Sequence, residues 1–455
     1  MGRKSATCLW GNKLRLTALT ADAVKIAGSA LHPQGTLSLD PYCAKLRFAW
    51  GRGEMSAGKS DKTEEEKMDL LVPVAAGAEG VVKRQLLSLG YPKAPAFDGR
   101  IQLSGDWRDV ARLNLFLRSG ERVLVRLAKF PAVTFDELYD GFYSLPWEDW
   151  LRVDSRILMD GKSAGSRLAA VKAAGGVAKK AIIRRLADKL APGRKTFDES
   201  GARTVVDFSV LRDVVTVSVD TSGEGLHKRG YRDLAYTAPL KETLAATLID
   251  LSLWHPDADP EKPFADPFCG SGTLPIEAAM KGLHIPPGLR RRFDFENWAF
   301  VPADAMARAR EEGEDGILRD RRLHIFASDI SPEAVSVARR HAKRAGVGDR
   351  ISFSVSDVRD FSARGEYGAI VCNPPYGERL FGAEEVRALY AAFGRAYRAL
   401  PEWSAYVLTS RPDFERDFGR RADRRKRFFN ANIPCTFYAF FGAKPPRKAE
   451  EREGG

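Results

Sequence analysis

Three apolar strands that each close on an acidic residue constrain this chain more than anything else in it. PFADPFCGSGTLPIEAAM puts Asp266 at the end of a short strand, followed by a Gly270-Ser271-Gly272 turn and a helix from about Thr273. LHIFASDISPEAVSVARRHAKRAG ends its strand at Asp329, with Ser331 as N-cap, Pro332 at the first helical position and Gly346 to stop the helix. ISFSVSDVRDF ends a third strand at Asp357. From about 223 to 443 the strands are continuously apolar rather than alternating. That pattern belongs to parallel strands buried on both faces, and the order of elements is βαβαβ. In an open parallel sheet, ligands bind beyond the carboxyl ends of the strands, so the three acids are expected to line one crevice.

Their chemistry suits a nucleoside with a cationic end. Glycines at 270 and 272 let a ligand approach the backbone where a Cβ would intrude. Asp329 can accept from two ribose hydroxyls, and Asp357 from the exocyclic amine of adenine. Asp266 suits a cationic amino group. No GxxxxGK[ST] phosphate loop occurs, and a GxGxxG pattern fails because Pro275 stands where the third glycine would be. An adenosyl cofactor carrying a methionine end therefore fits better than a nicotinamide. Strand-terminal Asp residues often do no more than cap turns. Three of them in phase with a GSG turn are harder to explain that way.

A fourth strand, YGAIVCNPPYGERL, runs apolar through Cys372 and turns at Asn373-Pro374-Pro375-Tyr376. The two prolines cannot donate hydrogen bonds and hold the turn extended. The Asn373 side-chain carbonyl and the Pro374 carbonyl are then expected to face the cleft as acceptors for an exocyclic NH2, with Tyr376 stacked on the base that carries it. Elsewhere Asn-Pro-Pro is an ordinary turn. Following a GSG-bearing strand, it points to methyl transfer onto a base amine.

DPFCGSGT, Asp329 and NPPYGERL resemble the class I S-adenosylmethionine-dependent methyltransferases. LHKRGYRDLAYTAPLKETLAATLI (226–249) and KGLHIPPGLRRRFDFENW (281–298) further resemble the bacterial THUMP-bearing RNA methyltransferases, a family that includes large-subunit rRNA N2-guanosine methyltransferases. The resemblance spans about 68–443. It implies a Rossmann-like α/β domain with a mostly parallel seven-stranded sheet, preceded by an α+β ferredoxin-like and THUMP RNA-binding module. It implies S-adenosyl-L-methionine as cofactor, held by Asp266, Cys269, Gly270, Ser271, Gly272, Thr273, Asp329, Asp357 and Pro239, with Asn373, Pro374, Pro375 and Tyr376 as the catalytic turn. It also accounts for the long gap between Asp266 and Asp329, where the family carries a helical insertion.

The expected organisation is a disordered extension or false start at 1–67, a ferredoxin-like part at 68–110 and a THUMP domain at 111–222. A methyltransferase domain at 223–443 and a disordered tail at 444–455 complete it. Upstream strands are expected at 100–105, 122–130, 204–210 and 214–220, with helices after Asp106 and over 169–190. The 455 residues carry 72 Lys+Arg against 60 Asp+Glu, a net +12. That excess is expected to meet structured RNA, rRNA before tRNA, along 169–195 and at 289–293 and 420–427.

Five scattered cysteines form no CxxC pair and the six histidines no HExxH, so neither a disulfide scaffold nor a metal is expected. Cys269 and Cys372 read as small core residues rather than nucleophiles, and Trp147, Trp150 and Trp298 as core packing. No apolar run approaches the ~18 residues of a membrane span and no secretory h-region of ~7–15 residues is present. A cytoplasmic monomer is expected. The expected activity is methylation of a guanosine N2 in 23S rRNA. Methylation of adenine N6 in RNA or DNA, of guanosine N2 in tRNA, or a non-catalytic role in ribosome assembly are the alternatives.

Overall fold

Two seven-stranded sheets of different kinds divide the chain, the first mostly antiparallel and the second mostly parallel. The computed structural model describes residues 67–97, 99–194, 197–233, 240–377 and 382–446. The expectations for 1–66, for the end of the tail and for Pro239 fall outside these residues.

The first half runs β1 (Met68–Pro73), α1 (Glu79–Ser88), β2 (Ala96–Phe97), β3 (Arg100–Gly105), α2 (Trp107–Phe116) and β4 (Leu124–Pro131). It continues with α3 (Phe135–Ser144), β5 (Arg156–Ala164), α4 (Val171–Leu190), β6 (Arg203–Leu211) and β7 (Val214–Asp220). Helix starts follow local chemistry. The Asp106 carboxylate accepts from the backbone N–H of Arg108 (2.8 Å) and of Asp109 (3.0 Å), and Asp109 accepts from the Asp106 N–H in return. The sheet order is β2-β3-β1-β4-β7-β6-β5. Only β5 and β6 pair in parallel; β4 pairs antiparallel with both β1 and β7, so one sheet runs through the whole half.

The second half runs α5 (Glu242–Leu251), β8 (Phe264–Asp266), α6 (Thr273–Gly282), α7 (Ala305–Asp315), β9 (Ile325–Asp329), α8 (Pro332–Ala345) and β10 (Ile351–Val355). Then come β11 (Ala369–Cys372), α9 (Ala383–Arg398), β12 (Ser404–Thr409), α10 (Phe414–Phe418), β13 (Arg424–Asn430) and β14 (Ile433–Phe440). Its sheet order is β10-β9-β8-β11-β12-β14-β13, parallel from β10 to β12 and antiparallel over the last two strands. Both faces are covered. Ala369 and Val371 enter one core, with α6 and α8, while Ile370 and Cys372 enter the other, with α9 and α10. This two-sided burial is the physical reason the central strands β8, β11 and β12 lack alternation; the outer β9 and β10 instead bury alternate residues, against the expectation of continuously apolar strands.

The connection between α6 and β9 has an unexpected place. Phe293, Phe295, Trp298, Ala305, Met306 and Ala309 join the hydrophobic core of the first half rather than that of the second. Arg112 on α2 closes the contact with a bidentate pair to Glu312 on α7, both bonds 2.7 Å. Trp147, Trp150 and Trp298 are all buried.

The basic helix α4 is less available than its sequence suggests. Arg185 pairs with Glu148 (2.6 Å), Arg184 with Asp188 (3.0 Å) and Lys179 with Glu199 (2.6 Å). Lys172, Lys180 and Lys189 remain exposed. No helix among the described residues is long and apolar enough to cross a membrane.

Candidate active site

Strand order fixes where the crevice lies. From β8 the chain adds β9 and β10 on one side, then returns to place β11 and β12 on the other, so the order reverses between β8 and β11. A ligand crevice forms beyond the carboxyl ends at such a reversal. The GSG turn follows β8 and the Asn373–Tyr376 turn follows β11, on neighbouring strands.

The GSG turn is held from three directions. The Asp329 carboxylate accepts from the Gly270 N–H (2.9 Å) and from the Ser331 N–H (3.0 Å), tying the turn to the end of β9. The Cys269 N–H donates to the Ser328 carbonyl at 2.9 Å. From behind, His341 on α8 is fully buried with its Nδ1 3.1 Å from the Ser271 carbonyl. Burial holds the His341 imidazole below its usual pKa, so it serves as a neutral donor to that carbonyl. At the start of α6, Arg232 donates to Thr273 Oγ1 and to the Leu240 carbonyl (2.9 Å), and sits 3.3 Å from Glu242.

The two glycines do different jobs. Both have left-handed φ, +51° at Gly270 and +87° at Gly272. A Cβ on Gly272 would lie 2.9 Å from the Ala338 Cβ, so this glycine lets α8 approach. A Cβ on Gly270 would meet nothing within 4 Å and would instead fill the open space in front of the turn. That open cradle, rimmed by carboxylates, fits a nucleoside cofactor.

Burial pushes the Asp266 carboxyl well above the usual carboxylate range, and the nearby Asp329 charge adds to the effect; the Phe268 N–H (3.1 Å) opposes it. Among the described residues no cation is paired with Asp266, which suits a site whose cation is the ligand. Asp357 lies beyond β10 rather than on it, and caps a short 3-10 turn. Its carboxyl is held below the ordinary range by hydrogen bonds from the Arg359 guanidinium and the Arg359 N–H. Two large apolar side chains flank these acids in the open: Ile330 is 59% exposed and Val355 53%. Sequence reasoning passed over both, although an apolar residue directly after a strand-terminal acid was there to read. Cys269 and Cys372 are buried, and burial raises both thiols, which keeps them in the neutral form of core residues.

The Asn373–Tyr376 turn differs from its expected form. The Asn373 Oδ1 already has a donor, the Tyr376 hydroxyl. The Tyr376 ring packs against the core, and its oxygen also lies 3.5 Å from Asn430 Nδ2 and 3.7 Å from Cys435 Sγ. A buried phenol needs a partner, and Asn373 supplies it. Burial raises the Tyr376 pKa, which keeps it a donor. Behind the turn, the Tyr390 hydroxyl donates to the Pro375 carbonyl at 2.7 Å and lies 3.0 Å from Thr409 Oγ1. Tyr390 was not foreseen, since nothing local marks it.

Family comparisons match this geometry along the chain. Residues 69–124 match the RlmL ferredoxin-like domain, 132–220 the THUMP domain and 229–439 the RMKL-like methyltransferase domain. A Bacillus subtilis (strain 168) protein described as "Putative RNA methyltransferase YpsC" is 40% identical over 387 residues, 85% of this chain and 99% of that protein. The chain belongs to the THUMP-bearing, S-adenosylmethionine-dependent RNA methyltransferases.

A second relative, "Ribosomal RNA large subunit methyltransferase K/L" of Psychromonas ingrahamii (strain DSM 17664 / CCUG 51855 / 37), is 31% identical over 399 residues. The chain spans 52% of that protein's length, and the match covers 85% of this chain. Two crystal structures are similar throughout. SMU.472, "a putative methyltransferase complexed with SAH", has TM-score 0.78 and 37% identity, covering 84% of this chain and 99% of its own. "A predicted N6-adenine-specific DNA methylase" from Listeria monocytogenes str. 4b F2365 has TM-score 0.77 and 42% identity, covering 83% and 97%. In this methyltransferase no group of three His, Cys, Asp or Glu among the described residues is arranged to hold a metal ion.

Proposed function

We propose that this enzyme methylates the exocyclic N2 amine of a guanosine in 23S rRNA, with the base flipped out of its stack and presented to the Asn373–Tyr376 turn. The observation that carries the proposal is the pairing of two turns at the strand-order reversal: GSG after β8 and Asn-Pro-Pro-Tyr after β11. S-adenosylmethionine supplies a methyl group on an electrophilic sulfonium.

The roles of the residues follow from their surroundings. Asp329 has acceptor capacity beyond its two backbone bonds and takes the ribose hydroxyls. Ile330 and Val355 offer apolar faces to the adenine, and Asp357 accepts from its amine. Asp266 takes the ammonium of the methionine end, and Gly270 leaves room for the chain between. Cys269, Ser271 and Thr273 shape the turn through their backbone and first helical contacts.

Asn373 Oδ1 and the Pro374 carbonyl accept from the target NH2 and raise lone-pair density on its nitrogen. For that, the Tyr376 hydroxyl must yield Oδ1 to the incoming amine, and the ring then turns to stack on the base. No strong general base is required. The gain comes from positioning and from electrostatic help at the amine.

The preference for large-subunit rRNA is supported by the printed name of the Psychromonas relative, and that for guanosine N2 by the family resemblance of the sequence motifs. It also favours the cytoplasm, where bacterial rRNA matures. A second reading, adenine N6, is favoured by the description of the Listeria structure, since one acceptor pair suits either amine. Nucleoside analysis of rRNA and tRNA from a deletion strain decides. Loss of one N2-methylguanosine from 23S rRNA is expected; loss of an N6-methyladenosine instead would establish the second reading. Asp329→Ala should weaken cofactor binding by calorimetry, and an unchanged affinity would contradict the ribose role.

A further inference from the structure

The segment that leads from β7 into the catalytic half borders a cavity of about 610 Å³, shared with the start of α5 and with residues 291–294. Six Lys and Arg side chains line it against three carboxylates. Two of these carboxylates already have a cation: Glu242 sits 3.3 Å from Arg232, and Asp294 takes Arg203 at 2.7 Å. The third, Glu224, is exposed.

The cations divide into structural and open ones. Arg229 is buried against Glu277 (3.3 Å) and donates to the Leu226 carbonyl at 2.7 Å. Arg291 donates to the carbonyls of Gly225, Lys228, Ser222 and Glu224, and so braces the wall. Lys228 is exposed and makes no ion pair among the described residues. Among the described residues Lys241 and Arg292 have only distant carboxylates, Glu121 and Glu296, each at 3.9 Å. Between them His227 keeps a buried Nδ1 with no hydrogen-bond partner among the described residues. Burial and the charges of Lys241, Lys228, Arg229 and Arg122 hold its pKa down to about 4. Open cations around a neutral, unpartnered imidazole make a site that gains from an anion.

Two contiguities say which anion. Arg232 both lines the cavity and donates to Thr273 at the start of α6, so the cavity shares a wall with the GSG turn. Arg291 and Arg292 continue into a second cavity of about 340 Å³ that adds open Arg290, and Arg310 and Glu296 paired with each other at 3.2 Å. A row of cations leading toward the cofactor turn fits a chain of phosphates better than a single one. We propose that this cavity is a phosphodiester site, in which Lys228, Lys241 and Arg292 hold RNA backbone phosphates beside the target nucleotide and His227 donates a ring N–H. The proposal rests on the RNA methyltransferase reading and adds where the strand is gripped.

The test uses the full chain and the double variant Lys228→Ala/Arg292→Ala, both changes at exposed positions. Affinity for 23S rRNA fragments is measured against salt concentration, with S-adenosylmethionine affinity by calorimetry as a folding control. Loss of two phosphate contacts should weaken RNA binding and reduce the log–log salt slope by about 1.5. Cofactor affinity should stay within about twofold. Equal RNA affinity and slope in variant and wild type would overturn the site. So would His227 ring resonances that respond to inorganic phosphate but not to a single-stranded oligonucleotide, which would mark a free-anion site. Failure of the guanosine reading shows separately, in the methylated nucleoside formed by the wild type.

Discussion

The two sheets have equal strand numbers and opposite habits. In the first, the outer strands are partly wet: on β3 Ile101 and Leu103 are buried between more exposed neighbours, and edge strand β5 is largely exposed, while β6 and β7 are mostly buried. Polar groups can therefore sit along those outer strands. In the second, β11 and β12 are buried at every position, so a polar group within them needs a protein partner, as Thr409 has in Tyr390 and Tyr406 in the Leu253 N–H. Chemistry is forced to the strand ends, and the reversal of strand order collects those ends in one crevice. A sheet with wet outer strands spreads function into a surface; a sheet with a dry centre concentrates it into a site.

The two are not independent. Arg118, at the end of the helix α2 loop, donates to the carbonyls of Met280 (3.1 Å) and Ile285 (2.8 Å) at the end of α6. Arg229 bridges the Arg118 carbonyl and Glu277, and Gln85 on α1 reaches Asp250 on α5 at 2.6 Å. The helix that begins at the GSG turn is thereby wired into the RNA-binding half.

Breaking that wiring should have the largest effect. Glu277→Ala leaves Arg229 buried and unpaired, and should cost about 3–5 kcal/mol of unfolding free energy. Chemical denaturation checks this; a cost below about 1 kcal/mol would show that the halves hold together without the pair. Next comes Asn373→Ala, at a strand end of the dry sheet. Methyl transfer should fall at least about a hundredfold, as when one preorganised polar group is removed from an active site. Cofactor binding should hardly change, and retained activity would remove the turn from the mechanism.

A pH effect follows from Asp266. Its carboxyl is raised well above the ordinary range by burial first and by Asp329 second. In the cofactor-free protein it stays protonated where the unfolded chain, with a carboxyl pKa of about 3.9, ionises. Stability contributed by this group is full below that value and is lost as pH rises through the folded pKa. Cofactor affinity moves the opposite way, because the ammonium needs the carboxylate. It should rise up to about tenfold per pH unit on the acid side. Calorimetry on wild type and Asp266→Asn checks this; identical pH profiles would remove Asp266 from the ammonium role. The smallest effect belongs to the first sheet. Asp106→Ala removes an N-cap and should cost about 1 kcal/mol. Cofactor affinity measured alongside should stay put, and a large loss would erase the division of labour between the sheets.

Much of this was legible in the residues. The caps at Asp106 and Ser331-Pro332, the stop at Gly346, the apolar strands and the GSG and Asn-Pro-Pro-Tyr turns are signals a few residues long. They act through local backbone chemistry and burial, and the structure has each of those elements where the sequence reads it. Other features depend on which distant segments meet. The strand-order reversal, the passage of 293–309 into the other half's core and the buried Arg118–Arg229–Glu277 chain have no local mark. His341 behind the GSG turn, Tyr390 behind the prolines and the Tyr376 hydroxyl on Asn373 arise from packing alone. The sequence by itself determined which residues could carry the chemistry, because short-range patterns suffice for strands, turns and caps. Only the tertiary structure decided which of them share a crevice and what holds them there, because strand pairing and buried charge join residues a hundred or more positions apart.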